Sequence, residues 1–98
     1  LFAEKITAEQ ADKWGLIWEA VDDDAFEAQW MARAAQLASG PTLAYSHLRQ
    51  ALRASTENSF DEQLALEAKL QNICGQSRDF KEGVLAFTEK REAKFEGR

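Results

Sequence analysis

The stretch Ser77–Arg98, SRDFKEGVLAFTEKREAKFEGR, predicts a short capped helix followed by a charged tail. The Ser77 hydroxyl can accept a hydrogen bond from a free amide of the first turn, and the Asp79 carboxylate suits the positive end of the helix dipole. Apolar residues then recur at helical spacing, so one face of this helix must dock on another surface. These residues are Phe80, Val84 and Phe87.

Three cations, Lys90, Arg91 and Lys94, follow the apolar face. An aromatic side chain followed by ammonium and guanidinium groups can hold a flat, phosphorylated ligand. The alternative is a docking helix whose charged end faces water, as charge runs commonly do. The residues alone leave both interpretations open.

Capping signals upstream predict four more helices, so we expect an all-α fold with short connections. The first helix is short, begins with a capping box of Thr7 and Gln10, and ends at Gly15. The start signals of the next three are Asp22–Asp24, Pro41 in a first turn, and a second capping box of Ser59 and Glu62; Gly40 and Gly75 are stop signals.

Apolar residues at helical spacing mark the faces that we expect these helices to bury. In the second helix they are Phe26, Trp30, Ala34 and Leu37; in the third, Leu43, Leu48, Ala51 and Leu52; in the fourth, Leu64, Leu66, Leu70 and Ile73.

The segment Leu16–Val21 is apolar and partly β-branched, and it lies between a glycine and an aspartate. This pattern predicts an extended segment, a short edge strand. No other segment of the chain is an evident partner for it. Trp14 precedes this segment and Trp18 lies within it, and the segment is too short to cover both rings. We therefore expect another part of the protein, or another subunit, to cover them.

Length and composition limit the possible classes of protein. Ninety-eight residues form at most one small domain, and a chain with 45% hydrophobic and 30% charged residues is neither disordered nor membrane-spanning. The net charge is −5, all of it in residues 1–40, whereas residues 41–98 have nine acids and nine bases. No face is basic enough to predict a nucleic-acid partner. The chain begins at Leu1 without an initiator methionine, which favours a piece of a longer protein.

Few side chains suggest catalysis or metal binding. His47 has no other histidine, cysteine or carboxylate at ligand spacing, so we predict no metal site. Cys74 excludes an internal disulfide, fits a reducing cytoplasm, and reads as a small core residue. The carboxylates that lie close in sequence suit capping and surface solvation better than acid–base chemistry, and we assign no catalytic residue. They are Glu62, Glu67, Asp79 and Glu82.

Ordered motifs at both ends of the chain match a known family. They are Ile6–Ala8, Ala11, Gly15–Ile17 and Val21–Asp22 at the start, and Glu82–Gly83, Ala86–Phe87, Glu89–Arg91, Phe95 and Gly97 at the end. With them, nearly the whole chain resembles the C-terminal part of the enoyl-CoA hydratase/isomerase, or crotonase, family. The run Trp14–Trp18 followed by Val21–Asp23 is similar to one branch, the ring-epoxide isomerases of phenylacetyl-CoA breakdown.

The resemblance implies a division of labour within a longer protein. An oxyanion hole and the acid–base carboxylates would lie upstream, on a spiral domain, with no catalytic residue in this chain. Residues 1–98 would form a C-terminal helical domain that supplies trimer contacts and one edge of the coenzyme A site. Phe87 would pack against the ligand or merely dock the helix, and Lys90 would meet the nucleotide phosphates or merely face water. Ala93 stands where members often have proline, which predicts a less rigid tail.

The function implied by the resemblance is that of an acyl-CoA isomerase or hydratase. The intact enzyme would convert a ring-1,2-epoxyphenylacetyl-CoA to its oxepin thioester, or add water to a 2-enoyl-CoA. It would be a cytoplasmic homo-oligomer, a trimer or a dimer of trimers, with no cofactor beyond the coenzyme A of its substrate. An alternative of another class is a non-catalytic helical interaction module, which would have no use for an orphan strand.

Overall fold

The computed structural model describes residues 3–98, and this range contains five α-helices and no strand. The prediction of an all-α fold is confirmed. The helices are α1 (Ala8–Lys13), α2 (Asp23–Ala38), α3 (Thr42–Ala54), α4 (Phe60–Gly75) and α5 (Arg78–Glu89). The chain divides into two compact units, one up to Arg33 and the other Ala34–Arg98.

Helix α1, in the first unit, ends at Lys13, two residues before Gly15, which agrees with the predicted stop at this glycine. Gly15 is left-handed, with φ +72°, and its amide donates to the carbonyl of Asp12 at 2.8 Å. The amide of Leu16 donates to the carbonyl of Ala11 at 2.9 Å. These two bonds form a Schellman motif, which satisfies carbonyls that the helix leaves free.

The segment Leu16–Val21 is not a strand, so the prediction of an edge strand is wrong. Its first residues form a bend after the α1 turn, and the amide of Ala20 donates to Oδ2 of Asp12 at 3.0 Å. A strand needs a neighbour to pair with, and the described residues contain no strand that could pair with this segment.

The side-chain caps agree with the sequence signals at two helices. The Ser59 hydroxyl accepts from the amide of Glu62 at 3.4 Å, and the Glu62 carboxylate accepts from the amide of Ser59 at 2.8 Å. This confirms the capping box of α4, and the hydrogen bonds from Ser59 lower the pKa of Glu62. At α1, Thr7 accepts from the amide of Gln10 at 3.2 Å, which is one half of the predicted capping box; no return bond from Gln10 to Thr7 occurs in residues 3–98.

Pro41 lies one residue earlier than expected, at the N-cap position of α3 and not in its first turn. The shift does not change the reason for a proline there, since no helical hydrogen bond needs its missing amide hydrogen.

In the second unit, α3 packs against α4, and α4 packs against α5. The side-chain amide of Gln63 links two of these helices by donating to the carbonyl of Ala51 at 3.2 Å. Leu70 of α4 and Ala86 of α5 are the buried apolar residues of the described range, at 6% and 3% exposure. The core is therefore small.

Most of the apolar faces predicted to be buried are exposed in the described chain. Phe26 and Leu37 of α2 are more than half exposed, as are Leu48 and Leu52 of α3. These predictions are wrong for the described residues, because a helix buries its apolar stripe only against a second layer of structure. Exposed apolar surface on this scale is typical of a protein region that another element or subunit covers. Of the described helices, none is long and apolar enough to cross a membrane.

Candidate functional site

Helix α5 begins at the predicted cap. The Ser77 hydroxyl accepts from the amide of Phe80 at 3.0 Å, which confirms the N-cap. The helix presents Phe80 and Val84 at half exposure and Phe87 at 85% exposure. An aromatic ring with so much free surface contributes little to the packing of its own helix, and it is available to contact a ligand or another element.

Helix α5 ends at a residue in an unusual conformation. The backbone of Lys90 is left-handed, with φ 54° and ψ 42°, a region that residues other than glycine rarely adopt. The amide of Lys90 donates to the carbonyl of Phe87 at 3.3 Å, and the amide of Arg91 donates to the carbonyl of Ala86 at 3.0 Å. Lys90 therefore occupies the position in a Schellman motif that glycine usually takes.

The residue after this turn is the centre of an ion cluster. Arg91 donates two hydrogen bonds, one from each terminal nitrogen, to the two carboxylate oxygens of Glu82, at 2.6 and 2.9 Å. It donates a third, from Nε, to Glu89 at 2.5 Å. The hydrogen bonds from Arg91 and from the amide of Lys94 lower the pKa of Glu82 to about 2, and the two carboxylates raise the pKa of Arg91.

The C-terminal tail folds back along α5 and is held at the start of the helix as well as at its end. The buried carboxylate of Asp79 accepts from the amides of Glu96 and Gly97, at 2.7 and 2.9 Å. The amide of Asp79 donates to the carbonyl of Arg98 at 3.0 Å. The tail after Arg91, which the sequence predicts to be less rigid, is thus attached to α5 at several points.

The returning tail helps to form an apolar cavity of about 400 Å³ beside α5. Phe87 and Phe95 line it, and Lys90 does not. The other lining residues are Pro41, Leu43, Ala44, Cys74, Ser77, Asp79, Phe80, Gly83 and Val84. The structure therefore brings Phe87 to an apolar concavity, whereas Lys90 lies outside the lining, on the turn that follows α5.

Two carboxylates that hold the turn and the tail in place, Glu82 and Asp79, have roles that the sequence did not predict. Asp79 and Glu82 were expected to be a helix cap and a solvated surface group. Asp79 is instead buried against the tail, and Glu82 binds Arg91. A signal was present in the pattern, since a carboxylate and an arginine nine residues apart flank the end of a predicted helix.

No group of three metal-ligating side chains occurs in residues 3–98. His47 is half-buried, and its Nδ1 atom has no hydrogen-bond partner within that range. Cys74 is a free, half-buried cysteine. We assign neither residue a chemical role.

Comparison with known proteins agrees with this arrangement of motifs. The family model described as enoyl-CoA hydratase/isomerase matches residues 1–98. The chain belongs to the enoyl-CoA hydratase/isomerase family. The orphan strand that was expected to distinguish this chain from a non-catalytic helical module is absent from residues 3–98.

Two curated relatives and one solved structure show how much of a family member the chain represents. It is 57% identical over 98 residues to a "Probable enoyl-CoA hydratase" of Rhodobacter capsulatus, and covers 38% of that protein. It is 42% identical over 100 residues to the 1,2-epoxyphenylacetyl-CoA isomerase of Escherichia coli, and covers 37% of it. Both alignments use all of this chain. A crystal structure of an enoyl-CoA hydratase from Geobacillus kaustophilus superimposes with a TM-score of 0.85 at 30% identity, over 97% of this chain and 36% of that one. The chain thus spans less than two fifths of each.

Proposed function

We propose that the full-length protein containing this chain acts on acyl-CoA thioesters, and that residues 1–98 form one edge of its coenzyme A site. The observation that supports this role is the placement of Phe87, 85% exposed at an apolar cavity, one helical turn before the cation Lys90. We assign no catalytic residue within the chain. Its contribution to the reaction is to bind the substrate, which needs no cofactor beyond the coenzyme A that it carries.

The two side chains match the two chemical parts of the coenzyme A nucleotide. An exposed aromatic face can stack on adenine, a contact worth about 1–3 kcal/mol per base in other complexes. An ammonium group can bind phosphate as a point charge, whichever oxygen approaches it. Phe87 therefore suits the base and Lys90 the phosphates.

Two reactions are candidates for the full-length protein. Isomerisation of a ring-1,2-epoxyphenylacetyl-CoA to the oxepin thioester is supported by the Trp14–Trp18 motif and by the 42% identity to the E. coli isomerase. Hydration of a 2-enoyl-CoA is supported by the 57% identity to the R. capsulatus protein. Purified protein given each substrate separately, with products resolved by chromatography of the thioesters, distinguishes them. If the protein turns over neither substrate, both proposals are rejected.

We further propose that the protein is a cytoplasmic homo-oligomer, a trimer or a dimer of trimers. The support is the exposed apolar surface of this chain, which includes Trp14 and Trp18 at 60% and 84% exposure. Surfaces of this kind commonly lie in interfaces. Sedimentation equilibrium of the full-length protein measures the mass directly, and a monomeric mass at all concentrations would contradict the proposal.

The role of Lys90 is tested by Lys90→Ala in the full-length protein. A lost charge-assisted contact to phosphate raises the KM for the acyl-CoA by about ten- to a hundredfold. It leaves kcat nearly unchanged, because ground and transition states bind the phosphates equally. A thioester truncated before the nucleotide is the control, and its KM should not change. Equal losses for both substrates would show that Lys90 supports the fold.

A further inference from the structure

We propose that Glu82 and Arg91 are positioning residues for Lys90: their ion pair holds the left-handed turn from which the Lys90 side chain projects towards the coenzyme A phosphates. This inference rests on the proposed function of Lys90 and adds the residues that fix its position.

Lys90 itself has a backbone conformation that needs support from its surroundings. A lysine at φ 54° is disfavoured relative to the right-handed or extended regions, because its Cβ crowds the neighbouring carbonyl oxygen. Such a conformation persists only where the surrounding structure imposes it. The residues that impose it must therefore act on both sides of Lys90.

The preceding side is fixed by α5. Ala86, whose carbonyl accepts the amide of Arg91, is buried at 3% exposure. The last turn of the helix is thus attached to the core of the second unit. Lys90 begins from a fixed point but is free to leave the turn unless the residues after it are also held.

The following side is fixed by one carboxylate. Glu82 accepts two of the guanidinium hydrogen bonds of Arg91, and its Oε1 also accepts from the amide of Lys94 at 2.8 Å. A paired, two-bond contact of this kind restricts orientation as well as distance. Glu82 therefore ties the chain at two points immediately after Lys90, and it is itself part of α5.

The variant Glu82→Gln in the full-length enzyme gives a test in which positioning and simple electrostatics have opposite signs. Removing an anion close to a phosphate site strengthens phosphate binding by Coulomb's law alone, so electrostatics predicts a lower KM. Positioning predicts a higher KM for the acyl-CoA, by about three- to tenfold, with kcat unchanged. The truncated thioester should show no change. A lower or unchanged KM for the acyl-CoA would overturn the proposal.

Glu92→Gln is the matched control, because it removes the same charge from the tail while Glu92 uses only its backbone carbonyl to contact Arg91. Its KM should stay within about twofold of the wild type. Arg91→Lys keeps the charge of Arg91 but not its bidentate geometry. Its KM for the acyl-CoA should therefore lie between those of the wild type and Arg91→Ala.

A double variant separates this proposal from the one on which it rests. In the Lys90→Ala background, Glu82→Gln should raise the KM no further, because the residue that it positions is gone. If Lys90→Ala raises the KM but the effects of the two substitutions multiply, Lys90 binds the phosphates and Glu82 does not act through it. If Lys90→Ala has no effect at all, the proposed role of Lys90 fails first.

Discussion

Asp79 and Gly97 lie 18 positions apart and are joined by a hydrogen bond of 2.9 Å from the amide of Gly97 to Oδ2 of Asp79. The same carboxylate accepts from the amide of Glu96 at 2.7 Å, so one buried side chain attaches the end of the tail to the start of α5. The tail carries Phe95 into the wall of the apolar cavity beside Phe87. Asp79 thus determines part of the shape of the proposed ligand edge, although it is not in the turn that would bind the ligand.

Asp79→Ala should destabilise the full-length protein by about 3 kcal/mol or more. The substitution leaves two backbone amides without their charged acceptor, and each such hydrogen bond contributes about 1.5–3 kcal/mol. Urea unfolding measures the change. Asp61→Ala is the control, because Asp61 is an exposed acid in the first turn of α4, where only about 0.3–1 kcal/mol is at stake. Equal effects of the two substitutions would show that the tail contact contributes nothing beyond helix-dipole charge.

Gly97→Ala should also destabilise the protein, by about 1–2 kcal/mol or more. Gly97 has φ +76°, a conformation that costs an ordinary side chain roughly that much, and an added Cβ would meet the Thr42 hydroxyl. Thermal unfolding measures the shift. Gly75→Ala is the matched control, since a Cβ at Gly75 meets no atom within 4 Å and Gly75 lies in α4. It should be neutral or stabilising because alanine favours helix. A neutral Gly97→Ala would mean that the tail does not pack as described.

The parts of the fold that local rules determine were predictable from the sequence. The hydroxyls of Ser59 and Ser77 each accept a hydrogen bond from the amide three residues later, so four consecutive residues are enough to predict the cap. The left-handed turn at Gly15 is similarly local. These signals were sufficient for the number and order of helices.

What the sequence did not predict depends on residues far apart or on missing neighbours. The partner of Asp79 lies 17 to 18 positions away, and no spacing rule connects a helix start to a returning tail. The left-handed turn at Lys90 was missed because a lysine stands where glycine is usual. The apolar stripe of Phe26 and Leu37 was correctly periodic, but periodicity does not state which layer covers it.

Ser59→Ala should lower the stability of the full-length protein by about 1 kcal/mol. The Ser59 hydroxyl satisfies one free amide of α4, and loss of such a cap costs about 0.5–2 kcal/mol. Ser46→Ala in α3 is the control, where Ser46 is exposed and alanine is the better helix former. Chemical denaturation of both variants tests the difference. A loss at Ser46 as large as that at Ser59 would show that the cap is not the cause.

Acid should weaken the attachment of the tail through Glu82. Its pKa is lowered from the usual 4.5 to about 2, chiefly by the hydrogen bonds from Arg91. When the pKa of a carboxyl group is lower in the folded state than in the unfolded state, the folded state binds fewer protons at any pH between the two pKa values. Its stabilising contribution is therefore complete above about pH 4.5 and is lost as the pH falls towards 2.

The urea midpoint of unfolding, measured at several pH values between about 5 and 3 for the wild type and Glu82→Gln, tests this prediction. The range extends below the usual pKa of 4.5, where the contribution of Glu82 begins to be lost. The wild type should lose stability more steeply than the variant, because the amide of glutamine does not titrate. Arg91 stays charged throughout, so Glu82 is the member of the pair that changes. Glu92→Gln should retain the wild-type slope. Parallel curves for the wild type and Glu82→Gln would mean that water screens the pair too well for it to hold the tail.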